Sequence, residues 1–269
     1  MKPLCLLLAL TLSAQAAPWR LAWSDDFNQA GAPDPKKWTY EKGFVRNQEL
    51  QFYTDNRREN ARVEGGNLVI EGRKEAFPNP AFVAGAKDWQ KSRKDAEYTS
   101  ACLITKGLKS FQYGKIEVRA KLPEGKGVWP AIWMLGDSRG PVRWPMCGEI
   151  DIMEFVTHEP GTIFGTLHFA KPGTTQHQSV GGKIKSDDIH KNFHVYGVEW
   201  NEKTLTFLFD DKPYKTVDLE VAGVGEDNPF RKPFYLMLNL AIGGSWGKDP
   251  DPKVYPQKFE IDWVKVWER

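Results

Sequence analysis

The sequence predicts an all-β fold, a sandwich of two antiparallel sheets. About a dozen short segments rich in branched and aromatic residues alternate with turn signals, and no fixed repeat connects them. In residues 114–122, apolar side chains alternate with charged ones, which is typical of a strand with one buried face. Helical periodicity is scarce, and residues 187–192 are the one modest helix candidate.

The predicted strands follow one another along most of the chain. They lie at residues 23–27, 49–53, 67–71, 98–105, 114–122, 128–135, 147–155, 165–169, 193–200, 235–242 and 260–267, with a hairpin that starts at 204 and turns at 210–213. Residues 76–95 shift to proline, glycine and charge, so we expect a long loop there, of the kind that often binds ligands or forms a lid. With 269 residues, 41% of them hydrophobic, the chain can form one large core, and we expect a single domain at residues 18–269.

The strand at residues 147–155 carries three carboxylates among apolar residues. Glu149, Asp151 and Glu154 are interleaved with isoleucine, methionine and phenylalanine. A buried carboxylate without a partner is destabilising or has a raised pKa. Function therefore explains these three acids better than structure does.

The parity of this strand predicts a β-bulge. Alternation places Glu149 and Asp151 on one face of a regular strand, but it would send Glu154 to the opposite face. One inserted residue at Ile152-Met153 returns Glu154 to the acid face and sends Phe155 to the core.

The N-terminus and the overall charge restrict the location and partners. Lys2, an apolar run at residues 4–12 and small residues at 13–17 predict a signal peptide at residues 1–17, hence a secreted protein, periplasmic or extracellular. The apolar run is shorter than the ~20 residues that span a bilayer, so we expect no membrane association of the mature form. The net charge is only +2 and no basic face stands out, which argues against a nucleic-acid partner. We expect a monomer.

The mature chain keeps two cysteines, Cys102 and Cys147. In an oxidising compartment they could pair, but two free buried thiols are the simpler expectation.

Several motifs, in order, resemble glycoside hydrolase family 16, and more narrowly its laminarinases, which are endo-1,3-β-glucanases. The motifs are NQELQFYT at 47–54, YTSA at 98–101, residues 115–123, WPAIWM at 129–134, GEIDIME at 148–154, GTLHF at 165–169, NLAIGG at 239–244 and IDWVKV at 261–266. Together with the opening strand they extend from about residue 23 to about residue 267. A lone Glu-x-Asp-x-x-Glu would be a weak signal, but this ordered set is strong.

The resemblance implies a concanavalin-like jelly roll with a concave substrate cleft and a retaining double displacement. Glu149 is then the nucleophile, Glu154 the general acid/base, and Asp151 the group between them that tunes both. A retaining pair needs its carboxyl groups ~5–5.5 Å apart, with one ionised and the other protonated. No cofactor is needed for catalysis.

Four tryptophans are candidate substrate-binding residues. Trp129 and Trp133 share a strand face and match the family's sugar-stacking platform, although two tryptophans on one face are often plain core. Trp144 and Trp246 lie in Gly/Pro-rich loops, where they either add outer subsites or hold their loops in place.

Three polar residues complete the implied cleft. His168 matches the family histidine beside the acid/base, where it would hydrogen-bond substrate or Glu154, although a lone histidine is more often structural. Asn47 and Asn239 match polar positions that line the cleft.

The resemblance also implies a structural Ca²⁺ on the convex face. Asp262 matches the family's carboxylate on the last strand, and Gly66 and Asp26 are its plausible companions. Hard oxygen ligands of this kind suit calcium. The alternative is a solvated aspartate on an edge strand.

Two functions from different classes remain open. The first is a secreted endo-β-1,3-glucanase acting on laminarin-like polymers, and the second is a non-catalytic glucan-binding module of the same fold. Such binding modules generally lack one or both catalytic acids, and all three are present here. The bulge argues against the lichenase type but leaves agarase-like and carrageenase-like relatives open.

Overall fold

Two packed β-sheets form the body of the protein in a computed structural model that describes residues 17–269. We call the seven-stranded sheet, which carries the three acids, the cleft sheet, and the ten-stranded sheet behind it the back sheet. Except for Ala17, the predicted signal peptide at 1–17 lies outside the described residues.

The cleft sheet orders its strands by hydrogen bonding rather than by sequence. In spatial order they are β12 (His177–Lys185), β11 (Thr162–Ala170), β10 (Glu149–Phe155), β9 (Val128–Gly136), β16 (Phe234–Ile242), β7 (Cys102–Ile104) and β2 (Thr39–Glu41). The catalytic candidate β10 is therefore an interior strand, held on one side by β9 and on the other by β11.

The back sheet covers the opposite side of the core. Its order is β15 (Lys212–Asp218), β14 (Thr204–Phe209), β13 (His194–Trp200), β8 (Gly114–Lys121), β17 (Gln257–Glu268), β5 (Asn67–Pro78), β6 (Asp95–Ser100) and β3 (Gln51–Tyr53), with β1 (Arg20–Asp25) paired to β17 and β4 (Ala61–Glu64) paired to β5. Among the described strands, only β3 and β6 pair in parallel. The predicted two-sheet antiparallel sandwich is confirmed, with that one exception.

The alternation predicted in residues 114–122 is observed, and the apolar face of β8 packs on the core. Ile116, Val118, Ala120 and Leu122 are each exposed by 2% or less. The charged residues between them face outward and form ion pairs, such as Lys121 with Glu260 on β17 at 2.8 Å. Removing such apolar area from water is the main favourable term in folding, so this face anchors the back sheet to the core.

The predicted bulge in β10 is confirmed. Asp151 pairs with Trp133 and Met153 pairs with Ile132, which leaves Ile152 as the extra residue against β9. The register against β11 shifts in the same interval. Ile152 and Met153 both lie in the core, as does Phe155, whereas Glu154 returns to the cleft side.

Two local predictions were wrong. Residues 187–192 form a turn rather than a helix, because the N–H groups of Lys191 and Asn192 both bond to the Asp188 carbonyl and β13 begins two residues later. A single turn fixes many dihedrals for few hydrogen bonds, so it does not propagate in so short a segment. The loop predicted from residue 76 begins later, because β5 continues to Pro78 and Phe77 packs on Phe52 with ring centroids 5.1 Å apart.

Helical structure is limited to short segments among the described residues. They are α1 (Trp89–Ser92), α2 (Gly244–Gly247) and the 3₁₀ turns Leu219–Ala222, Gly225–Asp227, Pro229–Arg231 and Pro252–Val254. No described helix has the length and apolar character needed to cross a membrane. Cys102 and Cys147 are buried and free, as the simpler expectation had it.

The position of Phe155 beyond the bulge can be tested by its contribution to stability. We expect Phe155→Ala to lower the free energy of unfolding by about 3–5 kcal/mol, because it deletes a fully buried ring. Phe82→Ala is the matched control, since Phe82 is 37% exposed and its loss should cost less than about 0.5 kcal/mol. Urea denaturation measures both, and equal effects would contradict the bulged register.

Candidate active site

The three acids of β10 line one cleft on the outer face of the cleft sheet. The cleft has a volume of about 540 Å³, and Trp129 and Trp133 from β9 and Asn239 from β16 form its wall beside the acids. A larger cavity of about 920 Å³, walled by phenylalanines 44, 52 and 77, contains none of the predicted site residues. The chemistry therefore belongs to the smaller cleft.

Glycine is required immediately before the acid strand. Gly148 has φ of +76°, and a Cβ there would lie 2.8 Å from Cβ of Pro229 and 2.9 Å from the ring of Phe234. This close approach seats the start of β10 against the segment that leads into β16 and so positions Glu149.

Glu149 is half-buried at the start of β10. Its Oε2 accepts a hydrogen bond from Nε1 of Trp144 at 3.0 Å. Burial raises the pKa of Glu149 to about 8, with a further contribution from the Asp151 charge, while His168, Arg46 and the Trp144 hydrogen bond lower it. These three groups favour the ionised carboxylate.

Asp151 is the most deeply buried of the acids, 3% exposed. Burial raises its pKa. Nε2 of His168 lies 3.0 Å from its Oδ2. Asp151 thus stands between the other two acids and next to an imidazole.

Glu154 lies on the cleft side of β10, beyond the bulge. Its Oε1 accepts a hydrogen bond from Nε1 of Trp129 at 2.9 Å, which favours the ionised form. Burial and then the negative charge of Asp151 outweigh that bond and raise the pKa of Glu154 well above its usual value. Adjacent acids with separated proton affinities are the arrangement that general acid/base chemistry requires.

The family follows from the sequence as a whole. The profile of glycosyl hydrolases family 16 matches residues 37–265. The chain belongs to this family. Within it, the chain is similar to the glucan endo-1,3-beta-glucosidase of Cryptopygus antarcticus, with 38% identity over 276 residues that cover 97% of this chain and 96% of the relative.

Solved structures of family 16 share the fold. The laminarinase of Rhodothermus marinus aligns with a TM-score of 0.80 at 40% identity, over 93% of this chain and 98% of that one. A structure from work on endo-acting O-glycanases of human gut microbes, which initiate mucin breakdown, aligns with a TM-score of 0.87 at 40% identity, over 93% of this chain and 91% of that one. The jelly-roll assignment and the glycoside hydrolase class are thereby established.

The implied aromatic residues of this family 16 site occupy different environments. Trp133 is nearly buried and donates from Nε1 to Oδ1 of Asn239 at 2.7 Å, while Trp129 is half-buried against Glu154. Trp144 is 42% exposed at the mouth of the cleft. Trp246 lies outside the cleft lining and packs edge-on against Trp129, with ring centroids 5.4 Å apart. This packing fits the alternative in which Trp246 holds its loop in place.

The implied polar residues make most of their observed contacts with other protein side chains. Asn239 also donates from Nδ2 to the hydroxyl of Tyr53 at 3.0 Å. Its amide therefore links Tyr53 to the indole of Trp133 and holds that ring in place. Asn47 lines the cleft and donates to Oε1 of Glu49 at 3.2 Å. His168 contacts Asp151 and not Glu154, which was one of its two expected partners beside substrate, because the register places it opposite Glu149 at the start of β10.

The sequence analysis missed a half-buried charged group that lines the cleft beside Trp133. Arg46 pairs with Glu41, and its guanidinium lies 4.9 Å from the centroid of the Trp133 ring. Glu49, 3% exposed, has its pKa raised by burial and lowered by Arg46. Arg46 immediately precedes the motif at 47–54, so its position was a usable signal.

One cluster of potential metal-binding residues occurs in the described part of the chain, namely Glu149, Asp151 and His168. They are two of the three cleft acids and the histidine that contacts Asp151. The predicted calcium residues lie elsewhere, on the back sheet.

The register of β17 places Asp262 next to the Gly66 turn and close to Asp26. Arg119 donates to Oδ2 of Asp262, and Nζ of Lys265 lies 3.8 Å from Oδ1 of Asp26. Basic side chains already accompany both carboxylates. The second oxygen of Asp262 and the Gly66 carbonyl are still donors of the type that calcium prefers. β17 is an interior strand, so Asp262 does not lie on a sheet edge, but its side chain is 32% exposed.

The raised pKa of Glu154 predicts that the acid centre reduces stability at high pH. The folded protein retains this proton where the unfolded chain, with a value of 4.5, has lost it, so stability is lost as pH rises above 4.5. We expect Glu154→Gln to raise the melting temperature near pH 8 and to have little effect near about pH 4, by differential scanning calorimetry. Glu124→Gln, on the surface, is the control. A gain independent of pH would contradict the argument.

Proposed function

We propose that the protein is a secreted endo-β-1,3-glucanase that cleaves laminarin-like glucans by retaining double displacement. The observation that carries the proposal is the separation of proton affinities within one cleft. Burial and Asp151 raise the pKa of both glutamates, that of Glu149 to about 8 and that of Glu154 well above its usual value. Arg46 and the Trp144 hydrogen bond act against this rise at Glu149, and the Trp129 hydrogen bond acts against it at Glu154.

In the first step, an oxygen of Glu149 attacks the anomeric carbon while the glycosidic C–O bond breaks. Glu154 gives its proton to the leaving oxygen, and the sugar remains esterified to Glu149. In the second step, the Glu154 carboxylate takes a proton from water, whose oxygen attacks the anomeric carbon and releases Glu149. Two inversions give net retention.

Asp151 influences both steps through its effect on the two glutamates. Its charge raises the proton affinity of both glutamates, since like charges in a buried site cannot all ionise easily. When Glu149 becomes an ester it loses its charge, so one source of repulsion on Glu154 is removed. Glu154 then acts more readily as a carboxylate base, which is the role that the second step needs.

The polymer assignment rests on relatives. The Cryptopygus protein is named for 1,3-β-glucan and the Rhodothermus protein is a laminarinase. Agar, carrageenan and mixed-linkage glucan remain the alternatives, and the likeness to a protein studied with mucin O-glycanases adds O-glycans. A non-catalytic binding module is disfavoured because all three acids meet in the cleft.

Reducing-sugar release on laminarin, lichenan, agarose, carrageenan and mucin O-glycans, measured in parallel, tests the substrate. We expect laminarin to be cleaved fastest, with a ladder of oligosaccharides that marks internal cutting. Oligosaccharide binding without any release would favour the binding module. Faster cleavage of another polymer would replace the glucan assignment.

Azide distinguishes the roles of the two glutamates. With an activated aryl β-glucoside, we expect Glu149→Ala to be rescued by azide to an α-glycosyl azide, because azide then attacks in place of the nucleophile. Glu154→Ala should give the β-glycosyl azide, because azide attacks the covalent intermediate. Proton NMR of the products identifies the anomer. Exchanged anomers would exchange the roles.

We also propose that residues 1–17 direct export and are removed, and that the mature protein is a monomer. The proposal is supported by the charged start, the short apolar run and the small residues at 13–17. The intact mass of the exported protein should lack residues 1–16 or 1–17, and a full-length mass would contradict this.

A structural Ca²⁺ is proposed at Asp262, with the Gly66 carbonyl and Asp26 as the other oxygen donors. The ion would neutralise Asp262 and tie β17 to the β4–β5 turn. We expect chelation to lower the melting temperature of the wild type and calcium to restore it, whereas Asp262→Asn should respond less to both. Comparing responses within each protein removes the effect of the lost Arg119 contact. An unchanged wild-type melting curve would count against the site.

A further inference from the structure

An exposed histidine, His177, closes a ring of contacts around the acid centre. Its Nε2 lies 2.8 Å from Nδ1 of His168, and the two rings stack with centroids 5.1 Å apart and planes 16° apart. Its other neighbour is Trp144, with centroids 4.7 Å apart. His168 contacts Asp151 and Trp144 donates to Glu149, so both neighbours of His177 touch an acid.

The position of His177 in the sheet explains these contacts. It is the first residue of β12, the edge strand of the cleft sheet, and it pairs with Ala170 of β11. His168 is two residues before Ala170, so His177 is its diagonal neighbour on the same face. His177 itself is exposed, and its ring is therefore not needed to fill the core.

Hydrogen-bond chemistry links the two imidazoles. Two ring nitrogens 2.8 Å apart share one proton, because two lone pairs or two N–H groups facing each other would repel. If His168 donates from Nε2 to the Asp151 carboxylate, its neutral ring accepts at Nδ1 and His177 is the donor. If Asp151 is protonated and donates to Nε2, His168 donates to His177 instead. In both states His177 supplies the partner that fixes the tautomer of His168.

The charged groups that face His177 and its neighbours come from β10, from β11 and from Arg46. β10 contributes Glu149, Asp151 and Glu154, β11 contributes His168, and Arg46 acts on Glu149 from the far wall of the cleft. The pKa of His177 is lowered by burial and by His168, which favours the neutral ring that the tautomer argument requires.

We propose that His177 is a positioning residue for the hydrolytic reaction, which holds His168 on Asp151 through its ring nitrogen and Trp144 on Glu149 through its ring face. The proposal rests on the proposed function for its kinetic consequence, but not for its structural one. His177 touches neither acid, so it acts through its two neighbours. Without it, His168 and the Trp144 N–H are less well placed to favour the ionised form of Glu149.

Two substitutions distinguish the contribution of the His177 ring face from that of its ring nitrogen. His177→Phe keeps an aromatic ring beside Trp144 but cannot share a proton with His168, whereas His177→Gln keeps a donor and acceptor but loses the ring. We expect His177→Phe to move the acidic limb of the kcat/KM pH profile on laminarin upward by about 0.5–1 pH unit, since Glu149 then ionises less readily. His177→Gln should restore much of that limb. Ser179→Ala, on the same strand and face, is the control and should leave the profile unchanged.

Ring-nitrogen NMR of the substrate-free protein gives the second readout. We expect the His168 nitrogen signals to report one dominant tautomer in the wild type and a mixture in His177→Phe, with wild-type character regained in His177→Gln. An unshifted profile together with unchanged His168 signals overturns the proposal. Activity lost in both variants without a pH shift also overturns it, since that would indicate direct substrate contact. If the wild type does not hydrolyse laminarin, the proposed function fails, while the NMR still decides whether His177 positions His168.

Discussion

One extra residue in β10 determines which side chains reach the cleft. Between Asp151 and Met153 the strand gains Ile152 relative to β9, and the register against β11 shifts as well. Two consecutive apolar residues therefore enter the core, and Glu154 comes back to the face of Glu149 and Asp151. In an unbulged strand Glu154 would point between the sheets, where a carboxylate has no partner.

The three buried acids lower the stability of the fold, and the hydrogen bonds and charges around them offset only part of this cost. Three carboxylates share a buried site, and burial raises the pKa of each. The compensation is unequal: His168 favours the ionised form of both glutamates, but Glu149 also receives Trp144 and Arg46, whereas Glu154 also receives Trp129. This inequality supports the proposed roles of Glu149 as nucleophile and Glu154 as acid, because a symmetric environment would give the two glutamates the same proton affinity.

Several features were predictable because they depend on local periodicity. The strand at 114–122 alternates strictly, so its buried face followed from the sequence, and the same parity argument located the bulge. The helix at 187–192 failed because Asp188 closes a single turn before β13 begins. The late start of the loop after Pro78 depends on Phe77 packing against Phe52, a contact between segments distant in sequence.

By itself, the sequence determined the family, the two-sheet sandwich, the three acids and the bulge that brings them to one face. These follow from patterns within single strands, where side-chain direction is set by position. Only the tertiary structure decided that His168 contacts Asp151, that Arg46 lies on Trp133, and that His177 joins His168 to Trp144. Those contacts join residues on different strands and loops, and no local pattern specifies which neighbours the pairing register will bring within hydrogen-bonding distance.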